Sequence, residues 1–147
     1  MRRGSEKNPR RFRASLPWAL VAWGVVVLYM GFIFYLSSES NPLPELTAWV
    51  WDKLLHTCEY GTLGALLAFA LRASGMTGGY AFFVAALLSS LYGSTDEIHQ
   101  AFVPQRDCDL HDLAADTVGG ALGAGAFLLA LRLLFARSSI RRARPVG

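Results

Sequence analysis

Cysteine, histidine and the familiar short catalytic motifs are scarce in this sequence. It has only two cysteines, Cys58 and Cys108, and three histidines. Neither cysteine lies in a CxxC or metal-spaced motif, which argues against a cysteine-based zinc site. A disulfide between them and a pair of free thiols are both compatible with the sequence. There is also no serine nucleophile motif, glycine-rich phosphate loop or zinc-protease signature, so no single motif identifies a reaction.

Charge is missing from long stretches of the chain. Residues 17–36 and 73–95 carry none, and residues 54–71 and 113–135 are apolar except near their ends. Each stretch is long enough to cross a hydrocarbon core of about 30 Å, and within lipid such a segment satisfies its backbone as a helix. With 53% hydrophobic residues in 147, the sequence predicts an all-α integral membrane bundle of four transmembrane helices.

The basic residues indicate how this bundle is oriented. Six precede the first apolar stretch, and five mark the end of the last stretch and the tail. The positive-inside rule therefore places both termini in the cytoplasm. There, anionic lipid head groups are a simpler binding partner for the basic residues than nucleic acid. The first stretch is too long for a signal peptide and has no A-x-A cleavage pattern after it. We expect a basic tail at 1–14, the membrane domain at 15–136 and a second basic tail at 137–147.

The helix boundaries follow from the same pattern. The first helix is expected to end near Ser37, and an outer loop at 38–50 contains the helix-breaking run 41–44 with two prolines. The remaining three helices are predicted at 52–71, 79–100 and 110–135.

The acidic residues occupy the opposite set of helix ends. All of them except Glu6 lie there, together with the three histidines. On the second helix Asp52, His56 and Glu59 share one stripe. Glu59 lies about 10 Å deeper than Asp52, where a carboxylate needs a partner or a proton.

Two further segments bring polar residues to the same depth. The third predicted helix ends in Asp96, Glu97, His99 and Gln100, and the fourth begins with Asp112 and Asp116 one turn apart. Arg106 and Asp109 lie in the short loop between them. We therefore expect one shared polar site at the extracytoplasmic rim. Simpler interpretations remain for some residues: Asp52, Asp109 and Asp112 could be helix-start acids, and His56 with Glu59 could be a structural pair.

These residues resemble the VanZ-like family over about residues 28 to 130. The resemblance rests on three motifs, of which the second is the most specific. They are Asp52-Lys53-x-x-His56-x-x-Glu59-Tyr60, then Asp96-Glu97-Ile98-His99-Gln100-x-Phe102-Val103-Pro104-x-Arg106, then Asp112-x-x-x-Asp116-x-x-Gly119. Asp116 stands where the family pattern commonly has Asn, and Asp109 where small polar residues are usual.

The resemblance implies a multi-pass protein of the bacterial inner membrane, in a family whose namesake is associated with resistance to teicoplanin. One hypothesis is an enzyme that acts on a cell-envelope lipid or glycan precursor, with a bound divalent cation or with His56 or His99 as general base. The candidate catalytic residues are Asp52, His56, Glu59, Asp96, Glu97, His99, Gln100, Arg106 and Asp112. The candidate substrate-binding residues are Lys53, Tyr60, Asp109 and Asp116.

A second hypothesis is a non-catalytic protein that binds a glycopeptide, a lipid-linked precursor or a partner membrane protein. Arg106 would then pair with Asp96 or Asp112 and fix the outer loop. A proton or ion pathway is disfavoured, because the cytoplasmic halves of the predicted helices have no ionisable chain to continue it. The sequence indicates no oligomeric state.

Overall fold

The described part of the chain folds into four helices. The structure, a computed structural model, describes residues 16–40 and 49–143. The helices are α1 (Leu16–Ser37), α2 (Trp49–Ala73), α3 (Gly78–Gln100) and α4 (Leu110–Ala143), and the described residues contain no strand. The predicted all-α fold with four helices is confirmed. The predicted tail 1–14, the proline-containing run 41–44 and the last residues, 144–147, lie outside the described residues.

Three of the helices have the length and apolar composition of a membrane span. They are Leu16–Ser37, Asp52–Ala73 and Leu110–Arg137. Helix α3 is also free of charge from Gly78 to Thr95, but small polar residues such as Ser89 and Ser90 lower its hydropathy. Three of the four predicted spans therefore have the length and composition to cross a membrane. The fourth span, α3, stays a prediction.

Two helix ends differ clearly from the predicted boundaries, whereas the others agree closely with them. Helix α2 begins at Trp49, earlier than predicted, and α4 continues to Ala143, past the predicted end at Phe135. No glycine or proline interrupts the chain between Phe135 and Ala143. Arginine and alanine favour helix, and cations near a helix C-terminus interact well with its dipole. The basic segment therefore extends the last helix.

Helices α2 and α4 pack closely through glycines. A Cβ atom at Gly64 would overlap the backbone of Gly120, and one at Gly123 would overlap the backbone of Gly61. Between membrane helices, such small residues let backbones approach and gain van der Waals contact. This close contact holds the first halves of α2 and α4 side by side.

Helix α1 docks on the bundle through a narrow stripe and two tyrosine hydroxyls. Its buried residues are small or aliphatic along most of its length, as with Ala22, Val26 and Ile33. The Tyr29 hydroxyl donates to the Glu59 carbonyl oxygen at 3.1 Å, and the Tyr92 hydroxyl of α3 donates to the Met30 carbonyl oxygen at 2.6 Å. These bonds fix α1 beside the polar half of α2.

The two connections that the structure describes in full are short, and each contains a residue in the left-handed region. Gly75 (φ 93°) turns the chain between α2 and α3, and Gln105 (φ 65°) turns it between α3 and α4. Cys58 and Cys108 are both free and exposed, so the structure contains two thiols rather than a disulfide.

Candidate functional site

Polar side chains from three segments meet where α2 and α4 begin and α3 ends. Helix α2 contributes Asp52, Lys53 and His56 from its first turns, and α3 contributes Glu97 from its last. Because Asp112 and Asp116 are one turn apart on α4, both face the same neighbours. The expected convergence of distant segments at one end of the bundle is present.

Lys53 joins three carboxylates at this rim. Its Nζ lies 2.9 Å from Asp109 Oδ2 and 3.3 Å from Asp52 Oδ2, and it also donates to Asp112 Oδ1. An ammonium group has three donors, so these acceptors saturate it. The three acids carry more formal negative charge than the one lysine balances, and the rim is therefore a place that favours cations.

Asp109 is the carboxylate of this group that lies before α4, in the loop. Its Oδ1 accepts the His111 backbone N–H at 2.8 Å. That bond and the Lys53 ammonium hold the pKa of Asp109 below its ordinary value, because both stabilise the charged form. Asp109 thus stays ionised and anchors Lys53 against the start of α4.

Beneath the rim, His56 and Asp116 form a buried pair between α2 and α4. His56 Nδ1 lies 2.9 Å from Asp116 Oδ1. Asp116 is fully buried, at 0% exposure. It packs on Gly93 of α3, where a Cβ atom would come within 2.9 Å of Asp116 Oδ2. The missing side chain at Gly93 therefore provides the space that the carboxyl group occupies.

Glu97 brings a second buried carboxylate to the same place. It is 2% exposed, and its Oε2 accepts the Asp109 backbone N–H at 2.8 Å. Its Oε1 and the Oδ2 of Asp116 have no hydrogen-bond partner among the described residues. Buried polar atoms are normally paired, because leaving them unpaired costs free energy. Each of these oxygens can therefore accept a cation or a proton.

His56 belongs to two groups of potential metal ligands. His56, Glu97 and Asp116 each place a ligand-type atom within 4.8 Å of the others, and Asp52, His56 and Asp112 form a similar group nearer the rim. One imidazole with two carboxylates suits an ion such as Mn²⁺ or Zn²⁺. All three members of the deeper group are buried. The sequence left a divalent cation as one option and assigned no ligands to it, and the geometry supplies candidates.

A cavity of about 290 Å³ opens beside His56, between α1, α2 and α3. Glu59 lines it, and Glu59 Oε1 is buried without a hydrogen-bond partner among the described residues. Gln100 Nε2 donates to Asp96 Oδ2 at 3.1 Å along the same wall. The polar lining residues are Ser37, Asp52, His56, Glu59, Thr62, Asp96, Gln100 and Arg106, and the apolar ones include Phe32, Ile33, Leu36 and Leu55.

Arg106 reaches this cavity from the loop between α3 and α4, residues 101–109, which is the outer loop meant from here on. It follows Gln105, whose left-handed backbone turns the chain back over the bundle. Arg106 Nε donates to the Glu39 carbonyl oxygen at 3.4 Å. Within the described ranges 16–40 and 49–143, no ion pair joins Arg106 to an acid, so the alternative pairing with Asp96 or Asp112 is not formed. Arg106 therefore lines the cavity without an acidic partner among the described residues.

Two of the candidate residues lie away from this arrangement. His99 faces α1, where its Nε2 lies 3.1 Å from Ser38 Oγ and its ring packs on Phe34. Residues two apart on a helix project in nearly opposite directions, so His99 cannot share the face of Glu97. Tyr60 is fully buried under the pair formed by His56 and Asp116, inside the packed bundle.

Helix α1 provides a wall of the cavity that the sequence analysis did not predict. Tyr29 and Ser37 both line it, and Ser37 is buried with no hydrogen-bond partner for its hydroxyl among the described residues. A tyrosine in the middle of an otherwise apolar span was the available signal, since a buried hydroxyl needs an acceptor. The partner, a backbone carbonyl of α2, carries no signature in the sequence.

Comparison with known proteins gives one match. The sequence model of the VanZ/LLP1 family matches residues 19–132, which include α2, α3, the outer loop and every candidate site residue. No curated protein and no solved structure gives a significant match.

Proposed function

The chain belongs to the VanZ/LLP1 family, and from that premise we propose that its polar site binds and acts on an anionic, lipid-linked precursor of the bacterial cell envelope. In this proposal, the protein crosses the inner membrane four times and has both termini in the cytoplasm. Glu59, Asp96 and Arg106 then line a cavity at the extracytoplasmic side. The basic residues at the other helix ends support this orientation.

The cavity suits a ligand with an apolar tail and an anionic head. Phe32, Ile33 and Leu36 form an apolar wall on α1. Arg106 lies at the outer end, and its forked guanidinium binds phosphate or carboxylate oxygens in pairs. The surrounding carboxylates would repel such a head unless a cation lay between them, so the ligand also requires a metal ion or protons at the acids.

The single observation that carries the proposal is the pair of buried oxygens, Glu97 Oε1 and Asp116 Oδ2. They lack partners among the described residues and belong to side chains grouped with His56. A divalent cation held by His56, Glu97 and Asp116 would satisfy them. Such an ion can polarise a substrate oxygen and lower the pKa of a bound water, which is the chemistry of hydrolysis. We therefore propose metal-assisted hydrolysis as the activity.

Metal binding is tested first, on the purified protein in detergent. Titration with Mn²⁺ and with Zn²⁺ should show one tight site per chain, measured by calorimetry and by the metal retained after dialysis. Glu97→Gln and Asp116→Asn should each weaken it by roughly tenfold or more, since even outer-shell partners of a metal ligand contribute that much. Asp107→Asn is the matched control, because Asp107 is exposed in the outer loop. Equal binding in all four proteins would exclude this site.

Catalysis is tested with a polyprenyl diphosphate that carries a sugar, in liposomes that contain the protein and the metal. Wild type should release a water-soluble fragment. Glu97→Gln should retain the lipid and lose the release, whereas Arg106→Lys should lose affinity by roughly tenfold, because bonds to a charged group are removed. Lipid binding without any release from wild type would contradict hydrolysis.

That last outcome would favour the alternative, a non-catalytic binding or scaffold protein. The observation in its favour is that Lys53 already pairs with Asp52, Asp109 and Asp112, so much of the rim is internally bonded. Both the enzyme and the binding protein are compatible with a role in teicoplanin resistance. Expression in a susceptible strain should raise the inhibitory concentration, and the loss of this rise in Glu97→Gln would connect resistance to the site.

A further inference from the structure

A second cavity lies at the opposite end of the bundle, and nothing in the proposed function uses it. It measures about 550 Å³ and lies between the end of α2, the beginning of α3 and the second half of α4. Arg72 on its rim follows His56 by about 16 residues, which is about 24 Å along a helix. We call this cavity the basic groove, and its lining includes Arg72, Gly78, Phe82, Phe83, Leu129 and Arg132.

Glycines leave the groove open. A Cβ atom at Gly78 or Gly79 would have nothing within 4 Å, and one at Gly125 would reach only the Phe82 ring, at 3.6 Å. The walls are large apolar side chains that remain uncovered: Phe83 is 71% exposed and Leu129 is 58% exposed. The space is thus apolar and open to the surroundings, as an acyl chain would need.

The charges at the groove are all of one sign. Arg72 donates from one terminal nitrogen to the Met76 carbonyl oxygen, while its Nε is buried with no partner among the described residues. Arg132 is exposed on α4 across the groove. No acidic residue occurs between Glu59 and Asp96, or after Asp116, so the adjoining halves of the helices contain no carboxylate to neutralise these two arginines.

The first turn of α3 adds donors to the same place. Its N-cap, Thr77, makes no side-chain capping bond, so it satisfies none of the first N–H groups with its hydroxyl. Gly78 and Gly79 line the groove directly. Free N–H groups and the positive end of a helix dipole favour an anion.

We propose that the basic groove binds one anionic phospholipid, with the phosphate between Arg72 and Arg132 and an acyl chain along Phe83 and Leu129. The charge complementarity selects the head group, since guanidinium groups bind phosphate oxygens in pairs. The apolar walls select a lipid over a free phosphate, because a soluble anion would leave them uncovered. This site is independent of the polar site at the other end.

The test uses the full-length protein in a neutral detergent. Phosphatidylglycerol should remain bound in native mass spectra and should raise the melting temperature more than phosphatidylcholine of the same acyl chains does. Arg72→Gln and Arg132→Gln should each weaken phosphatidylglycerol binding by about fivefold. Arg137→Gln is the matched control, because Arg137 is also exposed on α4 but does not line the groove.

A second variant keeps both arginines and fills the space instead. Gly79→Leu should fold normally, since the position is open, and should weaken phosphatidylglycerol binding by competing for the acyl-chain path. The melting temperature without added lipid checks that each variant is folded. Equal retention of the two lipids, equal protection by inorganic phosphate alone, or an equal loss in Arg137→Gln would each overturn the proposal.

Discussion

Lys53 shows how a single side chain determines the state of its neighbours at the polar rim. It lies in the first turns of α2 and donates to acids of α2, the outer loop and α4. Without it, three carboxylates would face one another at the rim, and like charges at this distance repel. The lysine therefore stabilises the fold at the same place where the site needs negative charge.

Replacing Lys53 by methionine should destabilise the protein by about 3 kcal/mol, because it leaves partly buried carboxylates without their cation. Lys53→Arg keeps the charge and should stay close to wild type. Thermal unfolding in detergent measures both. A melting temperature for Lys53→Met equal to that of wild type would mean that the three acids do not depend on this lysine.

Residue spacing predicted which side chains share a face of α2, but it could not predict which helix they face. The stripe of Asp52, His56 and Glu59 is present, and the possible pair of His56 with Glu59 is not formed. His56 instead bonds Asp116, which lies 60 positions away in the sequence. Helical periodicity defines a face within one helix, whereas the rotation of that helix depends on packing, to which every partner contributes.

At the scale of the helices, the contact between α2 and α4 depends on glycines with no room for a side chain. Gly61 and Gly123 face each other, as do Gly64 and Gly120. This contact also positions His56 beside Asp116, since those residues lie one to two turns closer to the outer end of the same two helices. Packing and site geometry are therefore coupled.

Gly123→Ala should destabilise the protein by about 1 to 3 kcal/mol, because its Cβ would meet backbone atoms of Gly61 that cannot move aside cheaply. Gly24→Ala on α1 is the matched control, since a Cβ there has nothing within 4 Å. Thermal unfolding of both variants in the same detergent gives the comparison. If the two melting temperatures agree, the close approach of α2 and α4 is not what stabilises the bundle.

Apolar runs were sufficient to predict four helices, and their ends were less predictable. Helix α4 continues through basic residues to Ala143 because charge limits a membrane span but does not end a helix. Helix α3 shows the converse: it is uncharged for most of its length, yet it is too rich in serine and glycine to stand with the other three as a span. The absence of charge and a high hydropathy are therefore different signals, because α3 has the first without the second.

For the whole molecule, the exposed apolar surface indicates the environment. Large hydrophobic side chains are exposed on each described helix, among them Leu28 at 76%, Leu54 at 46%, Phe83 at 71% and Leu122 at 63%. A water-soluble bundle would cover such surface, because exposed patches of this kind promote association. In lipid the same side chains need no cover. In the proposed four-span topology, the polar site and the basic groove lie near opposite surfaces of the bilayer.

The orientation can be measured with the protein's own thiol. In a Cys58→Ser background, Cys108 in the outer loop should react with a membrane-impermeant maleimide in intact cells. In a Cys58→Ser, Cys108→Ser background, Thr77→Cys in the turn between α2 and α3 should react only after the cells are opened. Both positions are exposed, so access to them depends on the side of the membrane. The reverse pattern would invert the topology, and labelling of both in intact cells would contradict a span in α3.

The sequence predicted the side of the bundle on which the polar residues gather, because charge is costly in lipid and marks the ends of spans. It could not predict that Tyr29 and Ser37 of α1 would close the cavity, since neither belongs to a charged motif. Helical spacing places Glu97 and His99 on opposite sides of α3, but it could not predict which of the two faces the site. Those details depend on how helices rotate against one another.

The fit between Gly93 and Asp116 has an evolutionary consequence. The two positions share one small volume, so neither can change freely: a side chain at 93 would require a smaller neighbour at 116. Among related sequences, alanine or larger residues at 93 should therefore appear together with glycine, alanine or serine at 116. A lineage that makes this exchange gives up the carboxyl group, and its members should have lost whatever chemistry depends on it while keeping the same bundle.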